Sequence, residues 1–86
     1  MLIYTILEYN YGDVDLELAT TNKDEALKKF KEDPQIDGYY YVLQIWSNEK
    51  RLVEIFFDNH KYKASYASYL FENEKQMCSE ILERLK

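Results

Sequence analysis

The chain has 86 residues, a net charge of −5 and a hydrophobic content of 47%. This length fits one small domain with a thin core, and the hydrophobic content excludes a disordered chain. We therefore expect residues 1–86 to form a single domain. The longest apolar run, residues 39–46, is far shorter than the ~20 residues that a membrane helix needs. With no signal-peptide pattern and one cysteine, Cys78, we expect a soluble, cytoplasmic protein.

The negative charge is concentrated in the first third of the chain. Residues 1–27 contain six acidic side chains and one lysine, whereas residues 28–86 contain ten acidic and ten basic side chains. A one-sided negative field can steer a basic partner towards the protein. The same field disfavours direct binding to a nucleic-acid backbone, which requires a basic patch.

Two strands are predicted at the start of the chain. Residues 2–9 are apolar on both faces, which is typical of a central strand, and Gly12 suits the following tight turn. Residues 14–19 alternate between apolar and polar positions. We expect a core face of Val14, Leu16 and Leu18, and an opposite, solvent-facing row of three carboxylates on Asp13, Asp15 and Glu17.

A short surface helix is predicted over residues 23–32. Asn22 and Glu25 match a capping box, and Thr21 with Asp24 offers a second register. Acidic side chains fill the first turn and lysines the last, which complements the helix dipole. The dipeptide Asp33-Pro34 is expected to end the helix.

The richest concentration of core residues lies between Tyr39 and Phe57, where two apolar runs flank about five polar residues and predict a β-hairpin. In the first strand, Tyr39, Tyr41, Leu43 and Ile45 share one face, and Tyr40, Val42, Gln44 and Trp46 share the other. In the second strand, the predicted core face is Val53, Ile55 and Phe57, opposite Leu52, Glu54 and Phe56.

The last third of the chain contains one ambiguous segment and one helix. Residues 61–66 alternate like an edge strand with outward lysines, although Tyr62, Tyr66 and Leu70 also fit helical spacing; we favour the strand. Asn73 and Gln76 match a capping box for a helix over residues 74–85. The order β-β-α-β-β-(β)-α predicts an α+β two-layer sandwich: a mainly antiparallel sheet of four or five strands with two helices on one face.

Few residues in the sequence suit catalysis or metal binding. His60, the single histidine, lies in a predicted turn, and neither Ser65 nor Ser68 has the glycines of a nucleophile elbow. The acids at positions 13, 15 and 17 lack the glycine and glutamate of a calcium loop. Two glycines are too few for a phosphate-binding loop. We expect no catalytic residues, no cofactor and no metal, and hence a protein that is not an enzyme.

The candidate partner-binding residues are acidic and aromatic. Alternate residues of a strand are roughly 6.6 Å apart, so the acids of the second strand would form a regular negative row. That row resembles the phosphates of a nucleic acid, although it also fits an ordinary solvated strand face. Exposed tyrosines are enriched at protein interfaces, unless Tyr62, Tyr66 and Tyr69 cover them. The predicted site consists of Glu8, Asp13, Asp15, Glu17, Tyr39 and Tyr41.

These features favour an acidic, non-enzymatic protein-binding module over an enzyme. Small size, acidity, α+β order and the lack of catalytic residues together resemble, in type, many inhibitors encoded by phages and mobile elements, including anti-CRISPR proteins. No motif carries this resemblance. It implies a nucleic-acid mimic that occludes a basic groove of a protein partner, without binding nucleic acid or membrane. The alternative is a structural or regulatory subunit that forms a homodimer through exposed aromatic residues or the helix over Met77–Leu85.

Overall fold

A computed structural model describes residues 1–85, which form a five-stranded antiparallel sheet with two helices on one face. This confirms the predicted two-layer α+β fold. The elements are β1 (Leu2–Asn10), β2 (Asp13–Thr20), α1 (Lys23–Glu32), β3 (Tyr39–Ser47), β4 (Lys50–Asp58), β5 (Lys61–Tyr66) and α2 (Glu72–Leu85).

The strand order across the sheet is β2-β1-β3-β4-β5, so β2 and β5 form the two edges. The predictions that β1 is a central strand and that residues 61–66 form an edge strand are both confirmed. Lys61 and Lys63 of β5 are exposed, as expected for an edge strand that is protected against aggregation.

All three hairpins close through two-residue turns. Both central residues of each turn have positive φ, as a type I′ turn requires. This backbone twist matches the right-handed twist of the flanking strands. The first hairpin joins the other two through the pairing of β1 with β3. The predicted β3–β4 hairpin is confirmed, and the outer residues of its five-residue polar break extend the two strands. The turn residues are Tyr11 and Gly12, Asn48 and Glu49, and Asn59 and His60.

The N-terminus of α1 is capped as predicted. The side-chain oxygen of Asn22 accepts a 3.0 Å hydrogen bond from the Glu25 backbone amide. The predicted start of α2 is wrong, since the helix begins at Glu72 rather than Glu74. There the Glu74 carboxylate reaches back to the Phe71 backbone N–H at 3.2 Å and satisfies a free donor at the helix start.

The core lies between the helices and one face of the sheet. Ile6, Leu43, Ile45, Val53 and Ile55 form its centre and are fully buried. The helices cover these residues with buried side chains from α1 and α2, namely Ala26, Leu27, Phe30, Cys78, Ile81 and Leu85. The predicted face assignment in β3 is confirmed, because Tyr41, Leu43 and Ile45 belong to this core. The apolar side chains of α2 over Met77–Leu85 pack against this core.

A β-bulge in the first hairpin corrects the predicted faces of β2. Ile6 pairs with Leu18, but the next residue, Leu7, pairs with Leu16. The strand therefore changes face between these positions. Leu18 packs against the core, whereas Val14 and Leu16 lie on the face without helices and are 50% and 62% exposed. The prediction that all three face the core is wrong for Val14 and Leu16.

A second bulge corrects the predicted faces of β4. Ile45 pairs with Val53, but Trp46 pairs with Arg51, so Leu52 has no direct partner on β3. Leu52, predicted to lie opposite the core face, is buried within the core. Val53 and Ile55 are fully buried as predicted, and Phe57 lies on their side of the sheet beside Tyr62 but is 54% exposed.

None of the helices within residues 1–85 combines the length and the apolar character needed to cross a membrane.

Candidate functional site

The predicted acidic and aromatic residues meet on the helix-bearing side of the sheet, at the end near the first turn. Glu8 of β1 pairs with Asp15 on one side and Tyr41 on the other. The next row contains Asp13, Asn10 and Tyr39 in the same order. Directly paired residues of antiparallel strands point to the same face. We name the group of Glu8, Asp13, Asp15, Tyr39 and Tyr41 the acidic corner.

A neutral amide joins two carboxylates of the acidic corner. The Asn10 side-chain nitrogen donates to Glu8 Oε1 and to Asp15 Oδ2, each at 3.2 Å. The amide holds the two acids close without cancelling their charge, because asparagine is uncharged. The corner therefore stays negative. Sequence reasoning missed Asn10, since its role depends on the pairing of β1 with β2.

One lysine borders the corner. Lys29 of α1 places Nζ 5.4 Å from the centre of the Tyr41 ring and 3.7 Å from Glu32 Oε2. Hydrogen bonding to Tyr41, and then the charges of Glu32 and Glu17, raise the pKa of Lys29. Glu17 has no direct partner on β1, because it occupies the bulge, but its charge reaches this lysine. Lys29 thus shows that a cation is accommodated beside the corner.

The two tyrosines of the corner differ in accessibility. Tyr41 is 8% exposed and belongs to the core, so most of its ring is unavailable to a partner. Tyr39 is half-buried, and its ring makes an edge contact with Tyr11 at 5.8 Å between centroids. The Tyr11 hydroxyl donates to the Asp37 backbone carbonyl at 3.0 Å. Tyr39 is therefore the predicted aromatic residue that a partner can reach.

An aromatic cavity lies beside the acidic corner. Its volume is about 280 Å³, and its only charged lining residue is Asp33, at the end of α1. Aromatic faces next to a carboxylate favour a cationic side chain. The remaining lining residues are Phe30, Tyr39, Tyr40, Tyr41, Phe57 and Tyr62.

The opposite side of the sheet carries no helix, and we name it the open face. Tyr62 and Tyr66 do not cover it, because they pair with Phe57 and Val53 on the helix side and pack against the core. These tyrosines therefore leave the aromatic rings of the open face uncovered. This agrees with the large number of aromatic residues predicted for the hairpin between Tyr39 and Phe57. The side chains of the open face include Ile3, Thr5, Leu7, Tyr9, Val14, Leu16, Tyr40, Val42, Gln44, Trp46, Glu54 and Phe56.

A row of hydrogen-bonded polar side chains crosses the open face. Trp46 Nε1 donates to the Thr5 hydroxyl at 3.2 Å, and this hydroxyl donates to Gln44 Oε1 at 3.3 Å. Gln44 Nε2 donates to Glu54 Oε2, as does Arg51, each at 3.0 Å. We name these five residues the polar row.

The residues with nucleophilic or metal-binding chemistry lie apart from the acidic corner. His60 is exposed in the last hairpin turn. Cys78 is fully buried, and burial followed by the charge of Glu74 raises its pKa to about 11. Among residues 1–85, no group of three or more His, Cys, Asp or Glu side chains is arranged to hold a metal ion.

Comparisons of the chain with protein-family models, with curated proteins and with solved structures found no match.

Proposed function

We propose that this chain is a non-enzymatic protein-binding module that uses the acidic corner to occupy a basic surface of a nucleic-acid-handling protein. The observation that supports the proposal is the assembly of Glu8, Asp13 and Asp15 in two adjacent rows, with Tyr39 beside them. These residues come from three strands, and they are close together only in the folded chain.

The spacing of the charges suits a groove that binds phosphates. Acids on neighbouring strands are about 4.8 Å apart, and alternate acids along β2 are roughly 6.6 Å apart. A basic groove built for the closely spaced phosphates of a nucleic acid would therefore meet several carboxylates at once. The protein would exclude nucleic acid by steric and electrostatic occlusion, and its association rate would fall as salt concentration rises.

The aromatic cavity would accept a lysine or arginine side chain of the partner. Lys29 already lies over Tyr41 within the chain, so the environment tolerates a cation. A partner arginine contacting Tyr39 and a neighbouring carboxylate would combine a cation–π contact with a charge-assisted hydrogen bond. In its most specific form, the proposal is an inhibitor encoded by a phage or mobile element, similar in action to anti-CRISPR proteins.

Charge reversal tests the proposal. The test variant carries Asp13→Lys and Asp15→Lys in the acidic corner and Glu17→Lys at the neighbouring bulge. The control carries Glu49→Lys, Glu72→Lys and Glu80→Lys. All six residues are exposed, and both variants change the net charge equally. Each tagged protein is used to capture partners from a bacterial lysate, and the captured proteins are identified by mass spectrometry.

We expect the original chain and the control to capture a nucleic-acid-binding protein that added salt or nucleic acid releases. The test variant should keep its fold, as circular dichroism would show, and lose this partner. Equal capture by the test variant and the control would refute the role of the acidic corner. A captured partner that nucleic acid does not displace would refute occlusion of a nucleic-acid groove.

A further inference from the structure

We propose that the open face is the contact surface of a homodimer in which the sheets of two copies stack face to face. This inference does not depend on the acidic corner, which lies on the other side of the sheet. Two copies stacked in this way would leave both acidic corners and all four helices on the outside.

The open face carries apolar side chains on four strands; Ile3, Val14, Leu16 and Tyr40 are 43–62% exposed, whereas Val42 is only 4% exposed. Leu16, Leu7, Val42 and Phe56 follow one another from β2 to β4 in a single row of paired residues. The neighbouring row contains Val14, Tyr9 and Tyr40, in which the two tyrosine rings stack at 5.2 Å. A groove of about 470 Å³ runs beside Tyr40 and Phe56. A second sheet can insert side chains between such rows at a separation of about 10 Å.

Hydrogen bonds within the polar row lower the cost of burying it in an interface. Its central groups are paired with one another across β1 and β3, and Gln44 at its centre is 9% exposed. Covering polar groups is costly mainly when their hydrogen bonds are lost. Because Trp46 Nε1, the Thr5 hydroxyl and Gln44 Oε1 bond to one another within one copy, a partner can cover them without supplying hydrogen bonds. Arg51 and Glu54 end the row, and their side chains are 47% and 25% exposed, so only the centre of the row requires no polar complement on the partner.

The charge distribution favours a second copy over a basic partner on this face. Glu54 is paired with Arg51 at 3.0 Å, and Asp58 is paired with Lys63 at 2.8 Å. Lys61 lies on this face opposite Asp58. The acidic and basic side chains therefore balance to within one charge, and two copies stacked on this face would not repel each other strongly. Self-pairing along the β2 edge is less favourable, because the exposed acids of β2 would approach their counterparts in the other copy.

The area of the open face is sufficient for a small dimer interface. The four strands β1 to β4, with 8–9 residues each, at about 4.8 Å spacing and about 28 Å length, give a projected area of roughly 500 Å² per copy. Two faces together would bury about 1,000 Å², which is near the lower limit for a specific interface. We therefore expect a dimer that dissociates on dilution.

Sedimentation velocity and fluorescence test the proposal on the full chain. Across a series from low micromolar to millimolar protein, the sedimentation coefficient should rise from monomer to dimer. Trp46 is the single tryptophan and lies on the open face. Its emission should shift to shorter wavelength over the same concentration range, because the second copy displaces water from the ring. Pairing of strand edges would leave this emission unchanged.

Two matched variants identify the surface. The test variant carries Ile3→Lys and Tyr40→Lys, and the control carries Ile36→Lys and Phe71→Lys. All four side chains are between 43% and 74% exposed. Ile3 and Tyr40 lie on internal strands, so strand pairing at an edge does not reach them. The test variant should remain monomeric at millimolar concentration, and the control should dimerise as the original chain does. If the lysine variant unfolds, Ile3→Thr with Tyr40→Thr replaces it.

Two results would overturn the proposal. One is a monomer at every concentration with constant Trp46 emission. The other is a dimer that persists in the folded open-face variant. Binding of a lysate protein through the acidic corner is measured separately, so failure of the dimer leaves the proposed function untouched, and the reverse also holds.

Discussion

The bulge in β2 makes two leucines of one strand experimentally distinguishable. Leu18 packs against the core, whereas Leu16 lies on the open face and is 62% exposed. Leucine-to-alanine substitution in a fully buried site costs about 2–5 kcal/mol. For the half-buried Leu18 we expect Leu18→Ala to lower the free energy of unfolding by about 1–2 kcal/mol. For Leu16→Ala we expect a change within about 0.5 kcal/mol, as for other exposed positions.

Urea and thermal unfolding, followed by circular dichroism at low micromolar concentration, measure both effects on the monomer. A domain of this size shifts its Tm by about 4–8 °C for each kcal/mol. Leu18→Ala should therefore lower Tm by about 4–16 °C, and Leu16→Ala by no more than about 4 °C. Without the bulge, both leucines would face the core, and the two alanine variants would lose similar free energies of unfolding. Equal losses in the two variants would refute the observed register of the first hairpin.

Two further predictions concern the polar row and the buried thiol. Gln44→Ala should lower the unfolding free energy by about 1–3 kcal/mol in urea titrations, because it removes one hydrogen bond from Thr5 and one from Glu54. The exposed Gln76→Ala serves as its control, and equal effects would contradict the role of the row. Cys78 should react with a thiol reagent only as urea unfolds the chain, since it is fully buried. Its pKa rises from 9.0 to about 11 on folding. Ionisation of this thiol therefore leaves the free energy of unfolding unchanged below pH 9. The free energy of unfolding falls as the pH rises from 9 towards 11, because the unfolded chain loses the proton first. Rapid reaction of the thiol reagent with Cys78 in the folded chain would contradict the burial of this residue.

Local sequence patterns were sufficient to predict the secondary structure. The alternation in residues 39–46 and 61–66, the capping residue Asn22 and the glycine of the first turn each act through neighbouring residues. For the same reason, the α+β order followed from the sequence. The acidic and aromatic candidates were also visible as residue types, although their assembly was not.

In β2 and β4, only the tertiary structure decided which side chains share a face, whereas the alternation of β3 predicted its faces correctly. The simple alternation of β2 predicted Val14, Leu16 and Leu18 on one face, but one bulge moved Val14 and Leu16 to the open face. A bulge depends on how two strands align, and shifting a strand by one residue exchanges its faces. Pairing across strands also placed Glu8 between Asp15 and Tyr41. The sequence alone therefore determined the elements and their order. The alignment of distant strands determined the acidic corner, the polar row and the open face.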